Sequence, residues 1–362
     1  MLSLPSANTA PAASPAVAWP GAAQAEASAT STAGAAALPA RQGQMPTLSC
    51  VVPGRNEARN LAALLPVLAQ TLSRLVEHWE IIVVDDGSQD DTAARMAQWS
   101  RMQPALRLVQ LSRNFGKEAA LSAGLQAARG DVVVQLDADL QHPPPLIEIM
   151  LARWRAGADV VYAVRRHRDD EGRIKRLGTR WFYRLLNGGH RFEVPAGAGD
   201  FRLMDRAVVD ALLALPERNR FMKGLYAWVG FEAEALPYQP DARAFGESHY
   251  SLWQLMRLSL DGLTAFTKWP LRAVSLAGMA LALPAIFYGG YLTLMHWVYG
   301  NPVSGWTTIV VGVMLFSGAQ MLAIGVVGEY IGRIYDEVKG RPLYVVKREI
   351  GRGLPSGQDA RG

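Results

Sequence analysis

A chain of 362 residues, 50% hydrophobic and 19% charged, holds ample apolar material for a core and is not a wholly disordered protein. Its one cysteine, Cys50, excludes an intramolecular disulfide scaffold and every cysteine-based zinc or iron–sulfur centre. A formal net charge of +5 is mild, so its meaning depends on where the basic side chains gather.

Residues 1–44 are dominated by Ala, Pro, Ser and Thr, with Glu26 as the only charge before Arg41. Such a stretch buries too little to offset chain entropy and is expected to be disordered. It lacks the basic start and Leu-rich centre of a signal peptide. Met45, just ahead of the first ordered-looking segment, is a candidate start site.

From residue 48 onward, short β-branched runs (48–52, 81–84, 106–111, 132–136 and 160–164) alternate with helical stretches. That spacing predicts a mainly parallel sheet covered by helices on both faces. Polar clusters follow three of the strands, at Pro53–Glu57, Asp85–Ser88 and Asp137–Asp139. Open α/β sheets bind ligands at the carboxyl ends of their strands, so the three clusters are expected to converge on one crevice. Asp85 and Asp86 suit hydrogen bonds from a base or from ribose hydroxyls, the alternative being a plain Asp-Gly turn. Asp137 and Asp139 are hard oxygen ligands for Mg2+ or Mn2+, and an ion so held completes its shell with substrate phosphates, which implies a diphosphate. The glycine patterns of dinucleotide-binding folds and of P-loops are absent from these turns, which argues against a dehydrogenase or a P-loop kinase.

Residues 165–191 carry nine Lys or Arg against three acids, a local excess larger than that of the whole chain. Within 172–187, Ile174, Leu177, Trp181 and Leu185 share one helical face while Arg173, Arg176, Arg180 and Arg184 share another, as in a helix lying on anionic lipid. The bland alternative is a solvated surface helix. No aromatic platform for nucleic acid accompanies these charges. A second amphipathic stretch, about 251–266, leads into a run from Ala273 to Gly328 without Asp, Glu, Lys or Arg. That run splits at 300–305 into spans of 24 residues (Ala273–His296) and 23 residues (Trp306–Gly328), each past the roughly 20 a helix needs to cross hydrocarbon. Lys268 and Arg272 before the pair and Arg333, Lys339 and Arg341 after it place both ends in the cytoplasm.

The segments VVPGRNE (51–57), VVDDGSQDDT (83–92), LSRNFGKEAALSAGL (111–125) and QLDADLQHPPPL (135–146) occur in this order. With GDFRLMDR (199–206), ERNRFMKGLYAWVGF (217–231), RAFGESHYSLWQL (243–255) and GEYIGRIYDEVKGRPLYVV (328–346), they resemble the polyisoprenyl-phosphate branch of the family 2 glycosyltransferases, which includes bactoprenol glucosyltransferases and dolichyl-phosphate mannose synthases. The resemblance implies a GT-A, Rossmann-like domain over 45–245. A lid loop and juxtamembrane helix (246–270), a two-helix transmembrane hairpin (271–331) and a cytoplasmic tail (332–362) would follow. It also implies that Pro53, Glu57 and Asp86 line the nucleoside pocket, with Asp85 in support and Lys117 near the donor. Asp137 and Asp139 would bind the metal and the donor diphosphate. Asp200 matches the catalytic-region aspartate, with Arg202 facing the reacting phosphates. Arg243, Ser248 and Tyr250 match a loop that folds over the diphosphate. Two positions depart from the pattern: His249 stands where Lys is common and His142 where Asp is common, and a neutral imidazole does not replace a fixed ammonium.

The activity so implied is metal-dependent, inverting transfer of a hexosyl group, glucose from UDP-glucose being favoured, onto undecaprenyl or another polyprenyl phosphate. The enzyme would sit in the inner membrane as a multi-pass protein with its catalytic domain in the cytoplasm, and a homo-oligomer is expected. Arg220 and Lys223 are candidates for holding the acceptor phosphate, the alternative being ordinary helix-surface charge. Two other readings are a processive polysaccharide synthase and a non-catalytic component of lipid-linked sugar export. Against the first, the QxxRW signature fails because Leu177 precedes Arg180-Trp181; against the second, the Asp137/Asp139 pair and Asp200 are intact.

Overall fold

The β-branched runs form strands where their pattern predicts them. In the computed structural model these are β1 (Leu48–Gly54), β2 (Trp79–Asp85), β3 (Leu106–Leu111), β4 (Val132–Gln135) and β5 (Val160–Arg165). Between them lie α1 (Ala58–Leu75), α2 (Thr92–Met102), α3 (Lys117–Ala127) and α4 (Leu146–Arg155). The structure describes residues 41, 43, 45–165, 198–218, 220–239, 269–299 and 305–355. Most of the 1–44 stretch, the amphipathic segments 172–187 and 251–266, and Arg243, Ser248, His249 and Tyr250 lie outside the described residues.

Beyond β5, the chain adds β6 (Ala198–Asp205), α5 (Arg206–Ala214), α6 (Met222–Trp228) and β7 (Ala233–Tyr238). After α7 (Trp269–Tyr299) and α8 (Trp306–Val338), it returns as β8 (Val346–Ile350). The sheet order is β7-β5-β6-β4-β1-β2-β3-β8. Strand β1 pairs in parallel with β2 and β4, β2 with β3, and β5 with β7, whereas β6 and β8 run against their neighbours. The mainly parallel α/β sheet is therefore present, with two reversed strands that the β-branched pattern does not mark.

Strands buried on both faces need two apolar layers, and two are found. One face of the sheet packs Leu61, Leu64, Leu68, Met96, Ile147 and Met150 from α1, α2 and α4. The other packs Leu121, Leu125, Val208, Leu212, Met222 and Leu225 from α3, α5 and α6. Side chains alternate along a strand, so β4 and β6 sort cleanly. Val132, Val134, Phe201 and Leu203 belong to the first layer, and Val133 and Met204 to the second.

The C-terminal segment, expected as a tail, is built into the sheet. Glu80 is fully buried and accepts from Ser49 Oγ at 2.7 Å, Arg107 Nη1 at 3.1 Å, Arg129 N–H at 2.9 Å and Leu354 N–H at 3.1 Å. Gly353 takes a positive φ of 66° beside this group, and a Cβ there would collide with both Glu80 and Arg107. Only glycine lets the chain pass so close to a buried ion pair. At the other end, Arg41 donates to the carbonyls of Trp154, Gly157 and Ala158 and pairs with Asp159 at 2.8 Å. A cation there satisfies the open C-terminus of α4.

Helices α7 and α8 cover the two expected spans. Among the described residues one helix, from Gly312 to Val338 in α8, is long and apolar enough to cross a membrane, while α7 contributes the shorter apolar stretch Ala273–Pro284. Phe287 is 75% exposed and Met314 70% exposed, a degree of apolar exposure that soluble monomers avoid.

Replacing Glu80 with Ala leaves the Arg107 guanidinium buried without its main counter-charge. The full-length protein should lose about 3–5 kcal/mol of stability, the usual effect of breaking a buried pair, and residues 346–355 should become open to proteolysis. An unchanged melting temperature together with a protected C-terminal segment would contradict this account of the staple.

Candidate active site

The carboxyl ends of the parallel strands share one edge of the sheet, and the expected polar clusters meet there. Asn56, after β1, takes a left-handed φ of 59°, a conformation Asn tolerates. From there its side chain accepts the N–H of Gln89 at 2.8 Å, and its own N–H donates to Ser88 Oγ at 2.9 Å. Asp85, fully buried, accepts from Ser88 N–H at 2.9 Å and from Gln110 Nε2 at 3.0 Å. Asp86 turns the other way, accepting the N–H groups of Phe115 at 2.7 Å and Gly116 at 3.0 Å. Between these turns Gly87 has a φ of 65°, and a Cβ there would strike the backbone of Arg113 and Asn114. The loops after β1, β2 and β3 are thus one hydrogen-bonded wall. Pro53 is buried in β1, and Glu57 opens α1 with Asn60 Nδ2 donating to it at 2.5 Å.

Loop geometry and strand register together set the centre of the site. Asp86 orders the turn that ends at Gly116, so α3 begins with Lys117 pointing into the crevice. Gln135 of β4 is paired with Arg202 of β6 in an antiparallel ladder. Continuing that ladder past the end of β4 sets Asp137 opposite Asp200. Alternation also puts Gln135, Asp137, Asp200 and Arg202 on the face that α3 covers. Lys117 Nζ closes the group, 2.7 Å from Asp137 Oδ1 and 2.6 Å from Asp200 Oδ2. A cation in the first turn of a helix opposes the macrodipole, and the two carboxylates offset that cost. Burial alone would raise the Asp200 carboxyl, but Lys117, Lys223 and Arg202 overcome it and hold it at about 2. Burial would likewise lower the Lys117 ammonium, and the two carboxylates reverse this and raise it.

Arg202 lies below this trio rather than among it. Only 3% exposed, it stacks 3.4 Å from the Tyr226 ring centroid and donates to Gly199 O at 2.9 Å. Tyr226 in turn donates to Gln135 Oε1 at 2.6 Å. Its positive charge reaches the crevice through Asp200. Lys223, half-buried on α6, acts electrostatically on Asp200 and on Glu118. Arg220 donates to Leu215 O at 2.8 Å and Ser122 Oγ at 3.4 Å, so it is anchored beside α3.

Asp139 accepts the N–H of Gln141 at 3.2 Å, next to Leu140 with its left-handed φ of 63°. No third His, Cys, Asp or Glu joins these acids in a metal-holding group among the described residues. Two half-buried hard carboxylates fit an Mg2+ or Mn2+ ion that fills its shell with phosphate oxygens and water, not an all-protein cage. The Lys117 ammonium already resting on Asp137 shows that this position favours positive charge.

His142 is a core residue. It packs 5.1 Å from Phe201 and 5.8 Å from Tyr238, on the opposite face of β6 from Asp200, and burial lowers its basicity. Glu118 was not singled out by its sequence context, because an acid in the first turn of a helix reads as an ordinary dipole partner. The structure instead sets it among Lys117, Asp200 and Lys223, where burial pushes its carboxyl up to about 7.

Residues 49–213 match the family model described as glycosyl transferase family 2. An uncharacterized glycosyltransferase of Synechocystis sp. is 42% identical over 299 residues, covering 83% of this chain and 94% of that protein. The SfII prophage-derived bactoprenol glucosyl transferase of Shigella flexneri is 40% identical over 312 residues, covering 85% of this chain and 99% of that protein. Among solved structures, glucosyl-3-phosphoglycerate synthase from Mycobacterium tuberculosis aligns with a TM-score of 0.41 at 23% identity, covering 61% of this chain and 80% of that one.

Because Asp200 is held below its unfolded value of about 3.9, it stabilises the fold above that pH and loses this contribution as pH falls through about 2. Replacing Lys117 with Met removes the nearest cause, so Asp200 titrates at higher pH. Thermal unfolding followed across the acid range should show the variant losing stability at a higher pH than the wild type. Superimposable acid limbs would refute the assigned role of Lys117.

Proposed function

Given that the chain belongs to glycosyl transferase family 2, we propose that it transfers a hexosyl group from a nucleoside-diphosphate sugar to a polyprenyl phosphate at the cytoplasmic face of the membrane. Glucose from UDP-glucose is the favoured donor and undecaprenyl phosphate the favoured acceptor, in keeping with relatives named bactoprenol glucosyl transferase. The observation that carries the reading is the Asp137–Lys117–Asp200 group at the carboxyl edge of the sheet, in a chain that also holds a helix able to cross a bilayer.

In this reading Pro53, Glu57, Asp85 and Asp86 form the nucleoside side of the crevice. Asp86 acts through the Phe115 and Gly116 amides that shape its wall. A divalent ion, Mg2+ or Mn2+, bound at Asp137 and Asp139 would supply charge neutralisation for the donor diphosphate. Lys117 adds fixed positive charge on the same side. As the bond from the anomeric carbon to the diphosphate oxygen breaks, the diphosphate leaves with the electron pair and positive charge builds on the sugar ring. A phosphate oxygen of the acceptor forms the new bond from the opposite face, which inverts the configuration.

That acceptor arrives already anionic at neutral pH, so the reaction needs no strong base. Asp200 fits that requirement. Held at about 2, it is a carboxylate throughout the working range and too weak a base to take a proton. It can orient the sugar and oppose the charge developing on the ring. Arg220 and Lys223 hold the acceptor phosphate, and Arg202 fixes Asp200 from below. Arg243, Ser248 and Tyr250 are assigned to the donor diphosphate by their match to the family's loop. The hairpin of α7 and α8 anchors the enzyme in the inner membrane with both ends cytoplasmic, and copies associate through it.

The test uses purified full-length protein with Mg2+, labelled UDP-glucose and undecaprenyl phosphate. Labelled lipid is expected, and Asp200→Asn should lower its rate by about a hundredfold or more, as loss of a charge aimed at the transition state does. Asp137→Asn should weaken metal-dependent nucleotide binding. No lipid-linked sugar from any nucleotide sugar would overturn the proposal.

A further inference from the structure

Register sets a polar row across three neighbouring strands. Asp85 of β2 lies beside Gln110 of β3, and Gln110 lies opposite Arg348 of β8. Because side chains alternate along a strand, Asp85 and Gln110 share the face that carries Ile81, Val83, Leu106 and Leu108. Hydrogen bonds run the length of the row. Arg348 Nε donates to Gln110 Oε1 at 2.6 Å, Gln110 Nε2 donates to Asp85 Oδ2 at 3.0 Å, and Asp85 Oδ1 accepts the N–H of Ser88 at 2.9 Å. Ser88 Oγ in turn accepts the N–H of Asn56 at 2.9 Å. The row thus starts on the strand that follows α8 and ends in the loops after β1 and β2.

Asp85 is fully buried and Gln110 is 8% exposed, so each polar atom there needs a partner of the right kind. A carboxylate only accepts, whereas an amide donates at one end and accepts at the other, and either end can be turned toward Asp85. A guanidinium only donates. Seated on Gln110 Oε1, Arg348 leaves Nε2 as the end that faces Asp85. A reversed amide would set oxygen against carboxylate and nitrogen against guanidinium. We infer that Arg348, from the C-terminal strand, is a positioning residue for the nucleoside side of the crevice. It acts through Gln110: by fixing the orientation of that amide it keeps Asp85 on the Ser88 N–H, and so holds the turn from which Asp86 and Gly87 order the crevice wall. Neither Arg348 nor Gln110 touches the reacting atoms. The inference rests on the nucleoside reading of Asp85 and Asp86 above.

The experiment measures UDP binding by calorimetry with Mg2+ and KM for undecaprenyl phosphate on full-length variants, with hydrogen exchange over 86–89. Arg348 stands on an exposed edge strand, so Arg348→Met tests the bond without opening the core. Its Kd for UDP should rise about tenfold, the size of one lost charge-assisted hydrogen bond. Acceptor KM should stay within about twofold, as for a residue that acts on the donor side alone, and the Ser88 amide should exchange faster. Arg348→Lys, which still donates, should bind UDP within about threefold of the wild type. Gln110→Met should weaken UDP binding at least as much as Arg348→Met, and combining the two should cost nothing further, because they act in series. Unchanged UDP affinity in Arg348→Met, equal loss of donor and acceptor affinity, additive losses in the double variant, or failure of Arg348→Lys to rescue overturns the inference. Absence of UDP binding in the wild type overturns the nucleoside reading first, and the inference with it.

Discussion

The ammonium of Lys117 lies between two carboxylates supplied by different strands, one parallel and one reversed, and the rest of the site is arranged around that contact. Without it, Asp137 and Asp200 would face each other across the ladder as like charges in a partly buried crevice. With it, both stay ionised and a third group is fixed to the first turn of α3. The helix is held in place in turn by Asp86, which is spent on the Phe115 and Gly116 amides. Gly87 permits that approach because any side chain there would meet backbone. The chain of cause runs from a glycine to a loop, from the loop to a helix start, and from that start to the charge balance of the crevice.

Helix α3 has a second task. It lies on the sheet through Leu121 and Leu125, while Ser122 and Gln126 meet Arg220 and Tyr344 from segments that follow β6. A helix keeps side chains four apart at a fixed spacing. The Lys117 contacts to Asp137 and Asp200 and the Ser122 contact to Arg220 are thus referred to one element. Arg202 and Tyr226 add a buried layer beneath, where a stacked guanidinium stiffens the floor under Asp200.

The far end of the molecule answers a different constraint. Long apolar helices must be joined firmly to the sheet that carries the crevice. After α8 the chain re-enters the sheet as β8 and ends against the buried Glu80–Arg107 pair. Helix α8 is therefore tied to the sheet by the segment that follows it. Arg218, whose N–H donates to Glu337 near the foot of α8 at 3.2 Å, adds a further tie two residues before Arg220.

Much of this was legible in the sequence because it depends on short-range pattern. Runs such as Ile81–Val84 and Val132–Leu136 can only be buried strands, and an Asp cluster following such a run must stand at the sheet's edge. The two uncharged runs after residue 272 specify long apolar helices for the same local reason. What the sequence did not contain is register. Nothing in GDFRLMDR says that β6 runs backwards beside β4, yet that reversal is what brings Asp200 opposite Asp137 and turns Arg202 under Tyr226. Nor does a polar stretch such as Val346–Ile350 announce itself as an edge strand, since its pairing partner lies more than two hundred residues away. Residue type and spacing are local properties and survive in one dimension. The neighbours that set the pKa of Asp200, bury Glu118 and satisfy Glu80 come from distant segments, and only folding decides which of them meet.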